Sequence, residues 1–271
     1  PRGRKPIGST WVFAVKRDSE GKVKRWKARL CAQGFSQVPG HDYWDTFANT
    51  VSFDAIRLVL AHAAAQDYHL HTVDVRTAYL NAPLEEGLDM WMRQPTGFEQ
   101  APNGQPMVCR LIKAIYGLKQ AGKCWCTTLR NGLKDMGFQC SQSDQGVFTI
   151  RRGDSKMILL TYVDDLIICD NCTELRKEIM DAVHARWETT DVAELEWCLG
   201  IKITRDRPHR TVRMCQELYI QDTVSKFGEE LKLKLNARTT TPCGDSIKEL
   251  DKAPPDSKET EEDIDRSRSL I

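Results

Sequence analysis

KMILLTYVDDLIICD, residues 156–170, is the stretch that decides the fold of this 271-residue chain. Residues 157–162 and 166–169 are aliphatic and β-branched runs of the length expected for buried strands. Only Val163, Asp164 and Asp165 lie between these runs, which leaves room for nothing longer than a tight hairpin turn. We therefore predict a buried hairpin with two adjacent carboxylates at its tip.

The two carboxylates of Asp164 and Asp165 need a compensating partner, because burying ionised carboxylates is costly without a cation or a hydrogen-bond donor. A divalent metal ion would compensate both charges. Aspartate is also common in ordinary turns, because it tolerates turn backbone conformations. The dipeptide alone leaves both interpretations open.

The composition is that of a globular protein, with 41% hydrophobic and 28% charged residues. No run approaches the roughly 20 apolar residues of a membrane span, and residues 1–10 do not form a signal peptide. We therefore expect no membrane association and an intracellular location, in a cytoplasmic particle or the nucleus. Because the chain starts without Met in what reads as an ongoing domain, we expect it to be a fragment of a longer polyprotein.

The net charge is +1, but the charged residues are unevenly distributed along the chain. The first thirty residues contain ten Lys or Arg against only Asp18 and Glu20, which indicates either a polyanion-binding face or a solvated charged surface. From residue 245 the chain is rich in charge and poor in apolar residues, so we predict a disordered or non-native tail.

The ten cysteines read as reduced thiols. Cys169 and Cys172 form one CxxC pair and Cys124 and Cys126 one CxC pair, but no second pair has the spacing of a zinc site.

The remaining periodicities predict an α+β protein with a sheet covered by helices on one side. A basic two-stranded flap opens the chain, and its Lys and Arg residues suit contact with phosphates. Asp74 ends a short strand, just before Tyr79. The predicted strands are 11–16, 22–32, 69–75, 90–93, 107–112, 142–150, 197–204 and 211–215, and the predicted helices are 54–66 (capped by Ser52 or Asp54), 123–136, 173–188 and 217–227.

Four motifs occur in an order and spacing that identify a family. TVDVRTAYLNAPL (72–84), KAIYGLKQAGKCW (113–125), ILLTYVDDLIICDN (158–171) and CLGIKI (198–203) resemble those of reverse transcriptases of copia-type LTR retrotransposons. Residues 11–35 and 47–64 are similar to that family's opening. The resemblance covers about residues 7–243.

The resemblance implies a right-hand polymerase fold with fingers, palm and the start of a thumb, built on an antiparallel palm sheet. By position, the fingers would comprise 1–52 and 90–122, and the palm 53–89 and 123–216, including a primer-grip-like hairpin. Residues 217–244 would start the thumb, and 245–271 would be the tail.

The resemblance also implies roles for individual residues. Asp74 and Asp164 match the family's principal metal ligands, and Asp165 matches the second aspartate of its YxDD motif. The implied nucleotide-binding residues are Tyr79, Gln120, Lys27 and Arg29. The implied primer–template residues are Tyr162, Val163, Leu199 and Gly200.

The expected chemistry is the addition of deoxynucleotides to a primer 3′-hydroxyl on an RNA or DNA template. Asp74, Asp164 and Asp165 would hold two Mg²⁺ ions, with Mn²⁺ as a substitute, because nucleotidyl transfer uses paired metal ions. A bulky ring at Tyr79 would exclude a 2′-hydroxyl, although spacing alone fits a core aromatic equally well.

The expected partners are an RNA template, a DNA or tRNA primer and deoxynucleoside triphosphates, with ribonuclease H and integrase outside this chain.

Three departures from the family pattern keep a second hypothesis open. Thr190–Asp191 stands where many relatives have Lys-Asp, Lys123 stands where Arg is usual, and FANTV replaces FAPV. A catalytically decayed relic that only binds nucleic acid or protein would tolerate such changes. A nucleotide cyclase with a similar palm would leave the basic flap without a role.

Overall fold

The structure is a computed structural model that describes residues 5–17 and 22–227. The chain divides into two units, Pro1–Cys215 and Gln216–Ile271. The turn predicted at 18–21, most of the predicted thumb start (228–244) and the predicted tail (245–271) lie outside the described residues.

The described residues form thirteen strands and four α-helices, which confirms a mixed fold with antiparallel sheets. In chain order they are β1 (Ser9–Arg17), β2 (Val23–Ala32), α1 (Phe53–Gln66), β3 (His69–Asp74), β4 (Met90–Arg93), β5 (Val108–Leu111), α2 (Ala121–Asp135), β6 (Gln139–Cys140), β7 (Val147–Arg152), β8 (Ser155–Tyr162), β9 (Asp165–Asp170), α3 (Thr173–Arg186), β10 (Ala193–Glu194), β11 (Trp197–Cys198), β12 (Ile201–Asp206), β13 (Thr211–Cys215) and α4 (Glu217–Phe227).

A six-stranded antiparallel sheet, in the order β10-β3-β9-β8-β7-β6, is the centre of the first unit. The predicted hairpin is its β8–β9 pair, and Tyr162 is opposite Asp165 in the register. Asp165 therefore belongs to β9 and not to the turn, which contains only Val163 and Asp164. This corrects the predicted three-residue turn, because the paired backbone of Asp165 extends the ladder by one residue.

Helices cover both faces of the central sheet, so the prediction of helices on one side is wrong. On one face, α2 and α3 pack on Val73, Leu159, Leu166 and Ile168. On the other face, α1 and β12 pack on Leu70, Leu160, Ile167 and Cys169. This two-sided burial explains why residues 166–169 are continuously apolar and not alternating.

Two local features fix the ends of these elements. The Ser52 hydroxyl accepts a hydrogen bond from the Ala55 N–H at 3.2 Å, so Ser52 and not Asp54 caps α1. The predicted strand 197–204 is broken at Leu199 and Gly200, whose φ angles of 49° and 79° reverse the chain between β11 and β12.

A buried ion pair ties β9 to α3. Asp170 is fully buried, and Arg176 donates to both of its carboxylate oxygens at 2.8 Å. The Cys172 N–H donates to the same carboxylate at 3.2 Å. These contacts satisfy a charge that would otherwise be costly inside the core.

A three-stranded antiparallel sheet, in the order β11-β12-β13, and two two-stranded sheets complete the first unit. β1 and β2 form an antiparallel ribbon, which we call the basic ribbon, and β4 pairs with β5. In the second unit, α4 is the described helix. None of the helices that the structure describes has the length and apolarity needed to cross a membrane.

Candidate active site

An open cleft of about 730 Å³ separates the basic ribbon from the ends of β3 and the β8–β9 hairpin. Asp74 and Asp164 both line this cleft. A backbone hydrogen bond from the Val75 N–H to the Asp164 carbonyl, 2.8 Å long, joins the end of β3 to the hairpin turn. Asp74 is also opposite Asp165 in the β3–β9 register. The fold therefore brings together the three aspartates singled out from the sequence.

Asp74, Asp164 and Asp165 form no ion pair with any residue in the ranges 5–17 and 22–227. Burial raises the pKa of Asp165 to about 6, and the charges of Asp164 and Asp74 add to the rise. Burial and Asp164 likewise raise the pKa of Asp74. The charges of Lys27 and Arg76 oppose the rise at Asp74 without cancelling it, so the site holds negative charge that the protein offsets only in part.

We expect Asp165→Asn to stabilise the protein without added metal at about pH 7.5 more than at about pH 4. The folded-state pKa lies above the ordinary value of 3.8, so the folded protein binds the proton more tightly than the unfolded chain. Stability is therefore lost as pH rises from about 4 to about 6, and an amide removes that loss. Melting temperatures at the two pH values test this.

Asp154→Asn, on the exposed turn between β7 and β8, is the matched control. An Asp165→Asn effect no larger at about pH 7.5 than at about pH 4 would contradict the raised pKa of Asp165.

The basic ribbon supplies the opposite wall of the cleft, and both predicted fingers residues are there. Lys27 and Arg29 alternate with Ala28 on β2 and line the cleft. Burial and the charges of Arg29, Lys16 and Arg25 lower the pKa of Lys27, while Asp74 opposes that shift. The ribbon is therefore a crowded cationic surface facing the carboxylates, suited to a polyanionic ligand between them.

Tyr79 is half-buried beside the cleft and packs against a second tyrosine. Its ring lies edge-to-face on that of Tyr116, with centroids 4.9 Å apart. Burial and the charge of Asp164 raise the pKa of both hydroxyls. Tyr79 thus lies near the carboxylates and also packs against the core.

Gln120 is not among the residues that line the cleft. Its side chain is 1% exposed, accepts a hydrogen bond from the Gln37 side chain at 2.9 Å and donates to the Asp42 carbonyl at 3.0 Å. These contacts hold the loop after β2 against the start of α2.

The predicted primer–template residues lie at two separate turns. Tyr162 is partly exposed, and Val163 has a φ of 56° with its carbonyl accepting from the Trp125 indole N–H at 2.6 Å. Leu199 lies with Asp165 on a small cavity next to the β11–β12 turn, where Gly200 follows. This turn therefore approaches Asp165 of the β8–β9 hairpin.

Comparison with known proteins identifies the family. The model of the family "Reverse transcriptase (RNA-dependent DNA polymerase)" matches residues 1–243. This chain belongs to the reverse transcriptase family. It is 38% identical over 222 residues to the retrovirus-related Pol polyprotein from transposon RE1 of Arabidopsis thaliana, which is 81% of this chain and 15% of that protein.

Other polyproteins show the same relationship. The Pol polyprotein from transposon TNT 1-94 of Nicotiana tabacum is 36% identical over 228 residues, which is 84% of this chain and 17% of the relative. The Pol polyprotein from transposon RE2 of Arabidopsis thaliana is 40% identical over 199 residues, 73% of this chain and 14% of the relative. These relatives confirm the resemblance to copia-type retrotransposons, and the chain spans about a sixth of their length.

The structure adds residues that the sequence motifs did not single out in this reverse transcriptase domain. The cleft is also lined by Tyr116, Arg76, Glu188 and Thr190. The Thr190 hydroxyl accepts from the Asp74 N–H at 3.0 Å, and the Thr190 N–H donates to the Asp74 carbonyl at 2.9 Å. The position that departs from the family pattern thus holds Asp74 in place.

The donor set of this reverse transcriptase domain fits Mg²⁺ that is completed by a substrate. In the part of the chain that the structure describes, no group of three or more His, Cys, Asp or Glu side chains could hold a metal ion. Mg²⁺ is commonly bound by one or two carboxylates together with substrate phosphates. Asp74 and Asp164, which form no ion pair with the described residues and face the cationic basic ribbon across the cleft, meet that requirement.

Proposed function

We propose that this chain is an RNA-directed DNA polymerase domain that adds deoxynucleotides to a primer 3′-hydroxyl on an RNA or DNA template. The observation that supports this most is the cleft, where Asp74 and Asp164 face the basic ribbon. Its volume of about 730 Å³ is within the roughly 300–1,000 Å³ range of small-molecule sites. Membership of the reverse transcriptase family agrees with the proposal.

We assign the parts of a right-hand polymerase to these elements by the family resemblance. The basic ribbon and the β4–β5 pair correspond to fingers, and the central sheet with its helices corresponds to a palm. The β11–β13 sheet takes the place of a primer grip, and α4 that of a thumb start. In this assignment, the single-stranded template and the primer enter the cleft between the ribbon and the hairpin.

Each wall of the cleft would have its own task in the reaction. Lys27 and Arg29 bind and orient the triphosphate, because clustered cations favour phosphate groups. Asp74 and Asp164 are the residues that would hold Mg²⁺, with Asp165 adding negative charge behind them. When bound, paired Mg²⁺ ions activate the attacking hydroxyl and neutralise the leaving pyrophosphate. Tyr79 packs beneath the sugar and disfavours a 2′-hydroxyl.

The hydrogen bonds around Asp74 support an intact site. The Thr190 hydroxyl accepts one hydrogen bond from the Asp74 N–H, and the Thr190 N–H donates another to the Asp74 carbonyl. A relic without catalytic function would have no need to keep this carboxylate fixed next to Asp164. The other parts of a Pol polyprotein, such as ribonuclease H and integrase, would be partners of this domain outside the chain.

Primer extension tests the proposal. The protein is incubated with an RNA template, an annealed DNA primer and the four deoxynucleoside triphosphates. We expect extension with Mg²⁺, extension with Mn²⁺ in its place, and none after chelation with EDTA. A folded protein that binds the primer–template but extends nothing with either metal would contradict the proposal and favour the relic.

A further inference from the structure

We propose that Tyr116 is a specificity-determining residue of the nucleotide site, where its ring joins Arg29 and Tyr79 into one wall. This inference rests on the proposed function, and it concerns how that site selects the sugar of the nucleotide. Tyr116 lines the cleft together with Asp74 and Asp164, whereas Gln120, from the same motif, is buried outside it.

The ring of Tyr116 has a different neighbour on each side. The Arg29 guanidinium lies over the ring, with its central carbon 5.5 Å from the centroid. Tyr79 contacts the same ring edge-to-face, at an interplanar angle of 66°. Both arrangements are attractive, because the ring face is negative and its edge is positive. Tyr116 thus connects a phosphate-binding cation to the residue that packs beneath the sugar.

The backbone of Tyr116 is fixed as tightly as its ring. The Ala32 N–H at the end of the basic ribbon donates to the Tyr116 carbonyl at 2.7 Å. Gly117 has a φ of 89°, and a Cβ there would lie 2.1 Å from the Ala32 carbonyl oxygen. Only glycine permits this approach, so the sequence places Tyr116 directly against the ribbon. A movement of the ring away from this position would break its contacts with Arg29 and Tyr79.

This rigidity has a consequence for sugar selection. Without a neighbouring ring, Tyr79 beside the cleft could tilt to admit a 2′-hydroxyl, but Tyr116, which lines the cleft, contacts it edge-to-face. Removing the Tyr116 ring frees Tyr79 to move and removes the surface on which Arg29 rests. We therefore expect both weaker nucleotide binding and weaker exclusion of ribonucleotides, with smaller effects on the chemical step.

Steady-state incorporation of dGTP and GTP tests the inference in Tyr116→Ala and Tyr116→Phe. For Tyr116→Ala, we expect the KM for dGTP to rise about tenfold and the ratio of kcat/KM for dGTP over GTP to fall about tenfold. Tyr116→Phe keeps the ring, so its KM for dGTP and its ratio of kcat/KM for dGTP over GTP should both stay within about threefold of the parent values. Tyr68→Ala, at a partly buried tyrosine outside the cleft, is the control for general destabilisation.

A parent-like selectivity ratio in Tyr116→Ala, with normal primer extension, would overturn the inference and leave the proposed function standing.

If the parent extends no primer, the proposed function fails. The binding of dGTP, measured by tryptophan fluorescence, then decides the inference, because Trp26 lines the cleft. About tenfold weaker binding by Tyr116→Ala than by Tyr68→Ala would support the role of Tyr116 as a nucleotide contact. Equal binding by the two variants, or none by the parent, would overturn it.

Discussion

Asp164→Asn is expected to lower the rate of deoxynucleotide incorporation by roughly 10³-fold or more. Asp164 lines the cleft with Asp74, and its charge helps to raise the pKa of Asp74, Asp165, Tyr79 and Tyr116. An amide preserves the size of the side chain but removes the negative charge that would hold Mg²⁺. Pre-steady-state incorporation on an RNA template, compared between parent and variant, measures the loss.

Two controls separate this effect from damage to the fold. Asp154→Asn makes the same change on an exposed turn at the far end of β8 and should incorporate nucleotides like the parent. Asp164→Asn itself should melt no lower than the parent, because it relieves the repulsion that raises the pKa of Asp165. Incorporation by Asp164→Asn within about tenfold of the parent would show that the catalytic assignment is wrong.

Arg176→Met is expected to have the largest effect on stability, a loss of about 3–5 kcal/mol in the free energy of unfolding. Arg176 donates to both oxygens of Asp170, whose side chain is 0% exposed. Removing the guanidinium leaves a buried carboxylate without its cation, and the nearby His71 Nδ1, 3.9 Å away, cannot replace a bidentate partner. Urea denaturation at neutral pH measures the change.

Arg152→Met is the matched control for that prediction. Arg152 also pairs with a carboxylate, that of Glu178 at 2.6 Å, but both side chains are substantially exposed. Solvent screens such a pair, so the loss should be below about 1 kcal/mol. Equal losses in the two variants would mean that burial does not set the strength of the Asp170–Arg176 contact.

The hairpin and the helix bounds were predictable from the sequence because they depend on local patterns. Apolar runs separated by too few residues for a loop require a hairpin, and the pattern of 217–227 predicted the start of α4 at Glu217. The break at Leu199 and Gly200 was missed because the apolar residues on both sides fit one continuous strand, although Gly200 is itself a turn signal. Likewise, Asp165 joins β9 only because Tyr162 and Asp74 pair with it on both sides.

The covering of both sheet faces was not predictable from helix patterns alone. Each helix shows which of its own faces is apolar, but not which side of the sheet that face contacts. The continuous apolar run at 166–169 was the available signal, since a strand buried on one face alternates. It requires a second covering layer, which α1 and β12 provide.

The candidate site was predictable in part. Asp74 and Asp164 were identified from motif positions and lie on one cleft. Within YGLKQ, Tyr116 lines the cleft whereas Gln120 is buried outside it, and spacing within the motif does not determine which side chain faces the cleft. The signal that favours Tyr116 is the adjacent Gly117, whose positive φ brings the basic ribbon into backbone contact at that point.

The measurement that tests the central claim most directly is single-nucleotide incorporation opposite each of the four template bases in RNA. The parent protein, an annealed DNA primer and Mg²⁺ are mixed with one deoxynucleoside triphosphate at a time. We predict that only the complementary nucleotide is added, with release of pyrophosphate. Two results would contradict a template-directed polymerase activity. One is addition of a nucleotide that does not depend on the template base, and the other is no addition by a protein that binds the primer–template.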